Sequence, residues 1–219
     1  MPENTQKMVC RRTQKRPELV ERAEKMPTIR GVAAVYYDQN DPGTEYRLWS
    51  DLVERIRPGA FDRAVREDDV RGLFNHNENQ ILGRTKAGTM RLSATPAGLL
   101  YEIDPPDTQA GRDVVESLRR GDVDGSSFMF VPNKITWEEQ RQADGSILTV
   151  RWVDEVMLYD CGPVTFPAYE ATEAGIRAKG GDDTIRAELE QWKGRAAADA
   201  DILAITADDM AMQEAVSGK

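Results

Sequence analysis

Residues Gly121–Val131 read G-D-V-D-G-S-S-F-M-F-V, and the rest of the chain is organised around them. Just upstream, Thr108 to Arg120 carries an apolar stripe of Val114, Val115 and Leu118. Asp107 or Thr108 can cap this segment and Gly121 can stop it, so it predicts a helix. Asp122, Asp124 and Gly125 make a turn, and a strand then runs from Ser126 to Trp137. Phe128 and Phe130 share the parity of Ser126, while Ser127 shares that of Met129. With the phenylalanines in the core, Ser127 faces the other way, toward a cleft.

Downstream, Ala143-Asp144-Gly145-Ser146 predicts a hairpin turn into strands at Ile147–Val153 and Glu155–Tyr159. The following segment, Cys161 to Tyr169, holds too much Pro and Gly for a central strand. Upstream, strands are expected at Thr28–Tyr37, Glu45–Trp49, Leu52–Ile56, Val70–Asn75, Ile81–Thr85, Gly88–Ala94 and Leu99–Asp104. A short helix is expected near Pro58–Val65. Many short strands with few helices predict an α+β chain built on a β-barrel or sandwich. Residues 1–26 read as a polar arm with a short helix from Pro17 to Glu24, 27–178 as the main domain, and 179–219 as an acidic helical tail. In the tail, Ile185, Leu189 and Trp192 form an amphipathic stripe, and a weaker helix is expected from Asp199 to Val216.

Composition narrows the function. The 219 residues carry a formal charge of −9, which argues against general affinity for nucleic acid. No apolar run approaches the ~20 residues of a membrane helix, and the first residues lack the apolar centre of a secretory signal. The two cysteines, Cys10 and Cys161, have no metal-binding spacing, and Cys10 is expected in a mobile arm, out of reach of a bridge. A reducing cytoplasm fits. Neither a metal nor a cofactor is expected, since clustered ligands and a glycine-rich phosphate loop are both missing.

The chemistry centres on two side chains. His76 is the single histidine, set directly after an apolar strand and among Asn75, Asn77 and Asn79. Imidazole is the group best matched to moving a proton near neutral pH, and a serine hydroxyl needs such a base to attack a carbonyl. Ser127 is therefore the candidate nucleophile and His76 its base. A carboxylate should stand behind the ring. Glu102 and Asp104 share one face of the Leu99–Asp104 strand, and either can serve. The Asp160-Cys161-Gly162 region is a candidate source of oxyanion-binding N–H groups. Ordinary roles also fit these residues: small serines at a strand start, a lone structural histidine, solvated acids.

Three segments in order, Ile56-Arg57-Pro58-Gly59-Ala60-Phe61, Leu73-Phe74-Asn75-His76-Asn77 and Gly121-Asp122-Val123 through Ser127-Phe128-Met129-Phe130, resemble the prohead maturation serine proteases of tailed bacteriophages. That family is held to be related to the herpesvirus assemblins. The resemblance spans residues 28–178. It implies a β-barrel flanked by helices, with Ser127 as nucleophile, His76 as base and Glu102 as third member, Asp104 in reserve. It implies a serine endopeptidase that cuts scaffold and major capsid protein extensions, and itself, inside the procapsid in the host cytoplasm. The chain can act as a homo-oligomer, without nucleic acid or membrane. Two other readings stand beside it: a silent barrel serving as a capsid-assembly or scaffold module, and a serine esterase.

Overall fold

The computed structural model describes residues 8–166 and 183–196. They fall into two units, one within Met1–Lys179 and one within Gly180–Lys219. In the first unit the strands are β1 (Val9–Thr13), β2 (Glu18–Arg22), β3 (Lys25–Val35), β4 (Glu45–Trp49), β5 (Leu52–Ile56), β6 (Arg71–Leu73), β7 (Ile81–Arg84), β8 (Met90–Thr95), β9 (Gly98–Ile103), β10 (Gly125–Arg141) and β11 (Ile147–Val164). Helix α1 (Asp62–Glu67) lies between β5 and β6, and α2 (Gln109–Arg120) between β9 and β10. The second unit has a helix, α3, over residues 183–196, in which Ile185 is buried and Leu189 and Trp192 are half-buried. That is the expected stripe. The helix expected from Asp199 to Val216 lies outside the described residues.

The mainly antiparallel α+β class matches expectation, but the barrel does not. One sheet runs β1-β10-β11-β5-β4, with β6 pairing β11 and β7; the other runs β2-β3-β9-β8. Among the described residues no ladder closes either sheet on itself or joins the two. The reason lies in β11, which is 18 residues long. One of its edges follows β10 throughout, and two strands share the other: β5 pairs with Thr149–Val153, and β6 with Asp160 and Cys161. The chain between them, with α1, fills the gap, and Val156 N–H donates to Ala60 O. A sheet that ends at β4 and β7 in this way leaves the outer edge of β1 unjoined among the described residues. One apolar core draws on both sheets, including Ile29, Leu99, Tyr101 and Ile103 from one and Phe128, Phe130 and Val153 from the other.

Two further expectations change. Residues 9–22, read as an arm with a helix from Pro17, supply β1 and β2 instead. The segment from Cys161 to Val164, read as too rich in Gly and Pro for a central strand, is the end of β11, between β10 and β6. Gly162 belongs there because a Cβ would come within 2.1 Å of the Leu73 carbonyl oxygen. The glycine allows a close backbone approach, and it is this approach that brings the loop after β6 over the sheet.

Helix α2 ends where expected. The Thr108 side chain accepts from Gly111 N–H, and Gly121 adopts φ 84°. Gly121 N–H donates to Leu118 O and Asp122 N–H to Ser117 O, a Schellman closure. The chain therefore leaves the helix in one direction, and β10 begins four residues later at Gly125.

Candidate active site

The start of β10 sorts its side chains as parity requires. Ser126 faces the core with Phe128 and Phe130, and its hydroxyl lies 2.9 Å from the Tyr101 hydroxyl. Phe128 packs edge-on against Phe61 at 5.6 Å and is stacked on Phe130 at 5.1 Å. Ser127 faces the opposite side, and there its Oγ lies 2.6 Å from His76 Nε2.

His76 is held by backbone geometry on one side and ring contacts on the other. Asn75 and His76 have φ 53° and 55°, a left-handed pair without glycine, which costs ~1–2 kcal/mol per residue. The neighbourhood over-determines that conformation. Asn75 N–H donates to Pro163 O, its Nδ2 donates to Thr165 Oγ1, and Thr165 N–H donates back to Asn75 Oδ1. Asn75 thus fastens the loop to the end of β11. The asparagines around His76 act on the backbone and on one another: Asn77 Oδ1 accepts from Asn79.

The ring is oriented by Asp160, whose Oδ1 lies 2.5 Å from His76 Nδ1. Glu102, expected in that place, lies in the other sheet. It is ion-paired with Arg30 at 2.6 Å and Arg91 at 3.1 Å. Asp104, the reserve choice, is bound to Thr28 Oγ1 at 2.6 Å and to Arg91 and Arg22, each at 2.9 Å. These arginines hold both carboxyls below their usual range, Asp104 at about 2.

The register explains why Asp160 was missed. At the hairpin end Arg141 faces Ile147, and counting straight back from there would set Ser127 opposite Cys161. An irregularity between Met129 and Phe130 shifts the pairing by one residue, so Ser127 faces Gly162 and Met129 faces Asp160. A slip of one residue moves a side chain to the other face of a sheet. Asp160 thereby joins the face of Ser127. Its sequence position had drawn notice only as a candidate for oxyanion-binding N–H groups.

The expected cleft is absent in this state, because Ser127 is 0% exposed. Strand β1 covers it, pairing antiparallel with Ser126–Phe130. Ser127 Oγ donates to Arg11 O at 2.9 Å, and Cys10 Sγ lies 3.2 Å from Ser127 Oγ and 3.3 Å from His76 Nε2. The serine has one hydroxyl proton. If it goes to Arg11 O, then His76 Nε2 must carry the proton that joins the ring to Ser127. The electrostatics agree. Burial lowers the affinity of His76 for its second proton, but the hydrogen bonds to Asp160 and Cys10 outweigh it, and the ring is raised to about 9. Burial also pushes the Cys10 thiol up, yet the bond and charge of His76 win, and its pKa is lowered. Among the described residues no three His, Cys, Asp or Glu side chains are grouped to hold a metal ion.

A hydroxyl on an imidazole that is itself backed by a carboxylate is the arrangement that transfers acyl groups. A family model described as caudovirus prohead serine protease matches residues 15–186. No curated protein and no solved structure matches the chain.

Proposed function

Because this chain belongs to the caudovirus prohead serine proteases, and is thus a serine peptidase of phage capsid maturation, we propose that Ser127, His76 and Asp160 are its catalytic triad. The observation that carries this reading is the chain of two contacts, Ser127 Oγ to His76 Nε2 at 2.6 Å and His76 Nδ1 to Asp160 Oδ1 at 2.5 Å. Neutral His76 accepts the Ser127 proton as Oγ bonds to a peptide carbonyl carbon. The tetrahedral intermediate collapses, the C–N bond breaks, and His76 passes the proton to the leaving amine. Water, deprotonated by the same ring, then hydrolyses the ester. Asp160 holds Nδ1–H in place and stabilises the imidazolium that forms at each step. Backbone N–H groups around the carbonyl oxygen would lower the barrier by ~3–4 kcal/mol.

The substrates in this reading are extensions of the scaffold and major capsid proteins, and the protease itself, cut within the procapsid. Two assays test it. A fluorophosphonate probe should label the wild-type chain and fail on Ser127→Ala. Co-expressed capsid protein should be cut by wild type and left whole by His76→Ala of unchanged fold. Labelling that persists in Ser127→Ala, or cleavage that persists in His76→Ala, would refute the assignment. Cleavage of small esters with no cleavage of protein would make this an esterase.

A further inference from the structure

A nucleophile without exposed surface must be uncovered before it can meet a peptide. The cover is short: Val9–Thr13 lies on an edge of β10 that pairs with no other strand among the described residues. Its backbone meets the hydroxyl directly. The Arg11 carbonyl is the one that accepts from Ser127 Oγ at 2.9 Å, so the Arg11–Arg12 peptide bond lies against the hydroxyl. On the other face of the strand the Arg11 side chain is buried, and its Nε donates to Glu54 Oε1 at 2.7 Å. Glu54 is 0% exposed, and its second oxygen accepts from Arg151 Nη1 at 2.5 Å. Each carboxylate oxygen of Glu54 therefore binds its own guanidinium. Arg151 belongs to β11 and stays with the sheet. If Arg11 left, Oε1 would lose its cationic donor, and a carboxylate oxygen placed there takes such a donor back strongly.

We infer that β1 occupies the substrate's place: the peptidase takes an extended segment as an antiparallel strand on Ser126–Phe130, with an arginine on the acyl side of the cut bond bound by Glu54. This rests on the reading of Ser127 as nucleophile. Strand addition to an open sheet edge is an established way of gripping a peptide: backbone bonds supply affinity and alternate side chains supply choice. Glu54 is in the right state for the task. Burial raises its pKa, but Arg11 and Arg151 outweigh this and keep it ionised.

The docked strand escapes cleavage for a reason visible in the same contacts. Ser127 gives its proton to the Arg11 oxygen, and His76, raised to about 9, is already protonated near neutral pH. An imidazolium cannot act as a base. Cys10, the residue before Arg11, is one of the groups that hold it so. Strand β1 is also imperfectly seated, since the buried Arg11 Nη2 finds no partner. A segment with arginine but no thiol in the preceding position would fill the Glu54 socket, remove the Cys10 share of the hold on the His76 proton and leave more of the ring neutral to take the serine proton. The Oγ–C bond would then form, the C–N bond after the arginine would break, and water would complete the hydrolysis.

The test uses the full chain and internally quenched peptides with the β1 sequence, cysteine replaced by alanine. The residue matching Arg11 is arginine, lysine, citrulline or glutamate. The arginine peptide should exceed the isosteric, uncharged citrulline peptide in kcat/KM by on the order of 100-fold. Glu54→Gln should reduce that ratio to within a few-fold. Arg11→Ala, which loosens β1 but keeps the socket, should raise both fluorophosphonate labelling of Ser127 and turnover of the arginine peptide. Equal cleavage of all four peptides by a chain whose Ser127 is labelled would overturn this inference and leave the triad standing. Slower turnover in Arg11→Ala would overturn the occupancy of the site by β1. If neither wild type nor Arg11→Ala were labelled or cut any peptide, the triad reading would fall, and this inference with it.

Discussion

Two acidic sites of this molecule invite comparison, the pair Glu102 and Asp104 on β9 and the single Asp160 on β11. The first pair sits among Arg22, Arg30 and Arg91 near solvent; the second is buried against the only histidine. From sequence the β9 pair is the more persuasive: two carboxylates on one strand face, in a strand of clear pattern. In the fold their charge is spent on arginines of the same sheet, and water screens what remains. Asp160, with no acidic neighbour beside it in sequence, directs its charge at one ring nitrogen. What separates the two sites is the identity of each acid's partner and the depth at which they meet.

The largest test of that contrast is activity. Asp160→Asn should cut kcat/KM by up to ~10⁴-fold, because an amide no longer favours the required tautomer or balances the imidazolium. Glu102→Gln should stay within about twofold. If the two variants lost activity equally, the comparison would collapse. A second test moves the backbone. Gly162→Ala sets a methyl group against the Leu73 carbonyl oxygen, which should destabilise the fold by ~1–3 kcal/mol in urea unfolding. It should also lower kcat more than KM rises, since the His76 loop rides on Leu73.

A third test reads protonation. The single histidine gives one imidazole signal in proton NMR, which should titrate at about 9 in the resting chain. Asp160→Asn should bring it down furthest and Cys10→Ser less. Since the folded value lies above the ordinary 6.5, the ring's contribution to stability is complete below about 6.5 and is lost as pH rises through about 9. That contribution is at most ~3 kcal/mol. The lowered Cys10 thiol acts in the opposite sense, gaining stability as pH rises through its folded pKa, so the net fall is smaller. A signal that titrates near 6.5 would remove the resting imidazolium. The smallest effect belongs to the β9 cluster: Glu102→Gln should change stability by no more than ~1 kcal/mol, and less in high salt.

How far this was readable in the chain depends on the range of each signal. Caps and stop of α2 are local, and Thr108 and Gly121 do what their residue types predict. Strand parity is local too, so Ser126 on Tyr101 and Ser127 on the opposite face follow from counting. Asp160 depended on a register shift between Met129 and Phe130, which no pattern in F-M-F-V announces. It also depended on admitting C-G-P-V as a strand, and the reason Gly162 is tolerated there is a carbonyl from a distant loop. Strand β1 was hidden for another reason. V-C-R-R-T reads as polar, and Arg11 becomes an interior residue only because Glu54, 43 positions away, receives it. Burial that depends on a distant partner leaves no periodic trace.

The distance along the chain between β1 and its partner gives that pairing a last consequence. Cys10 meets Ser127 across 117 positions. Closing a loop of that length costs more chain entropy than joining β10 to β11 through their hairpin, so β1 adds late as the domain folds. A newly folding molecule therefore presents Ser127 before its cap arrives, and has a brief early interval in which the hydroxyl can be reached.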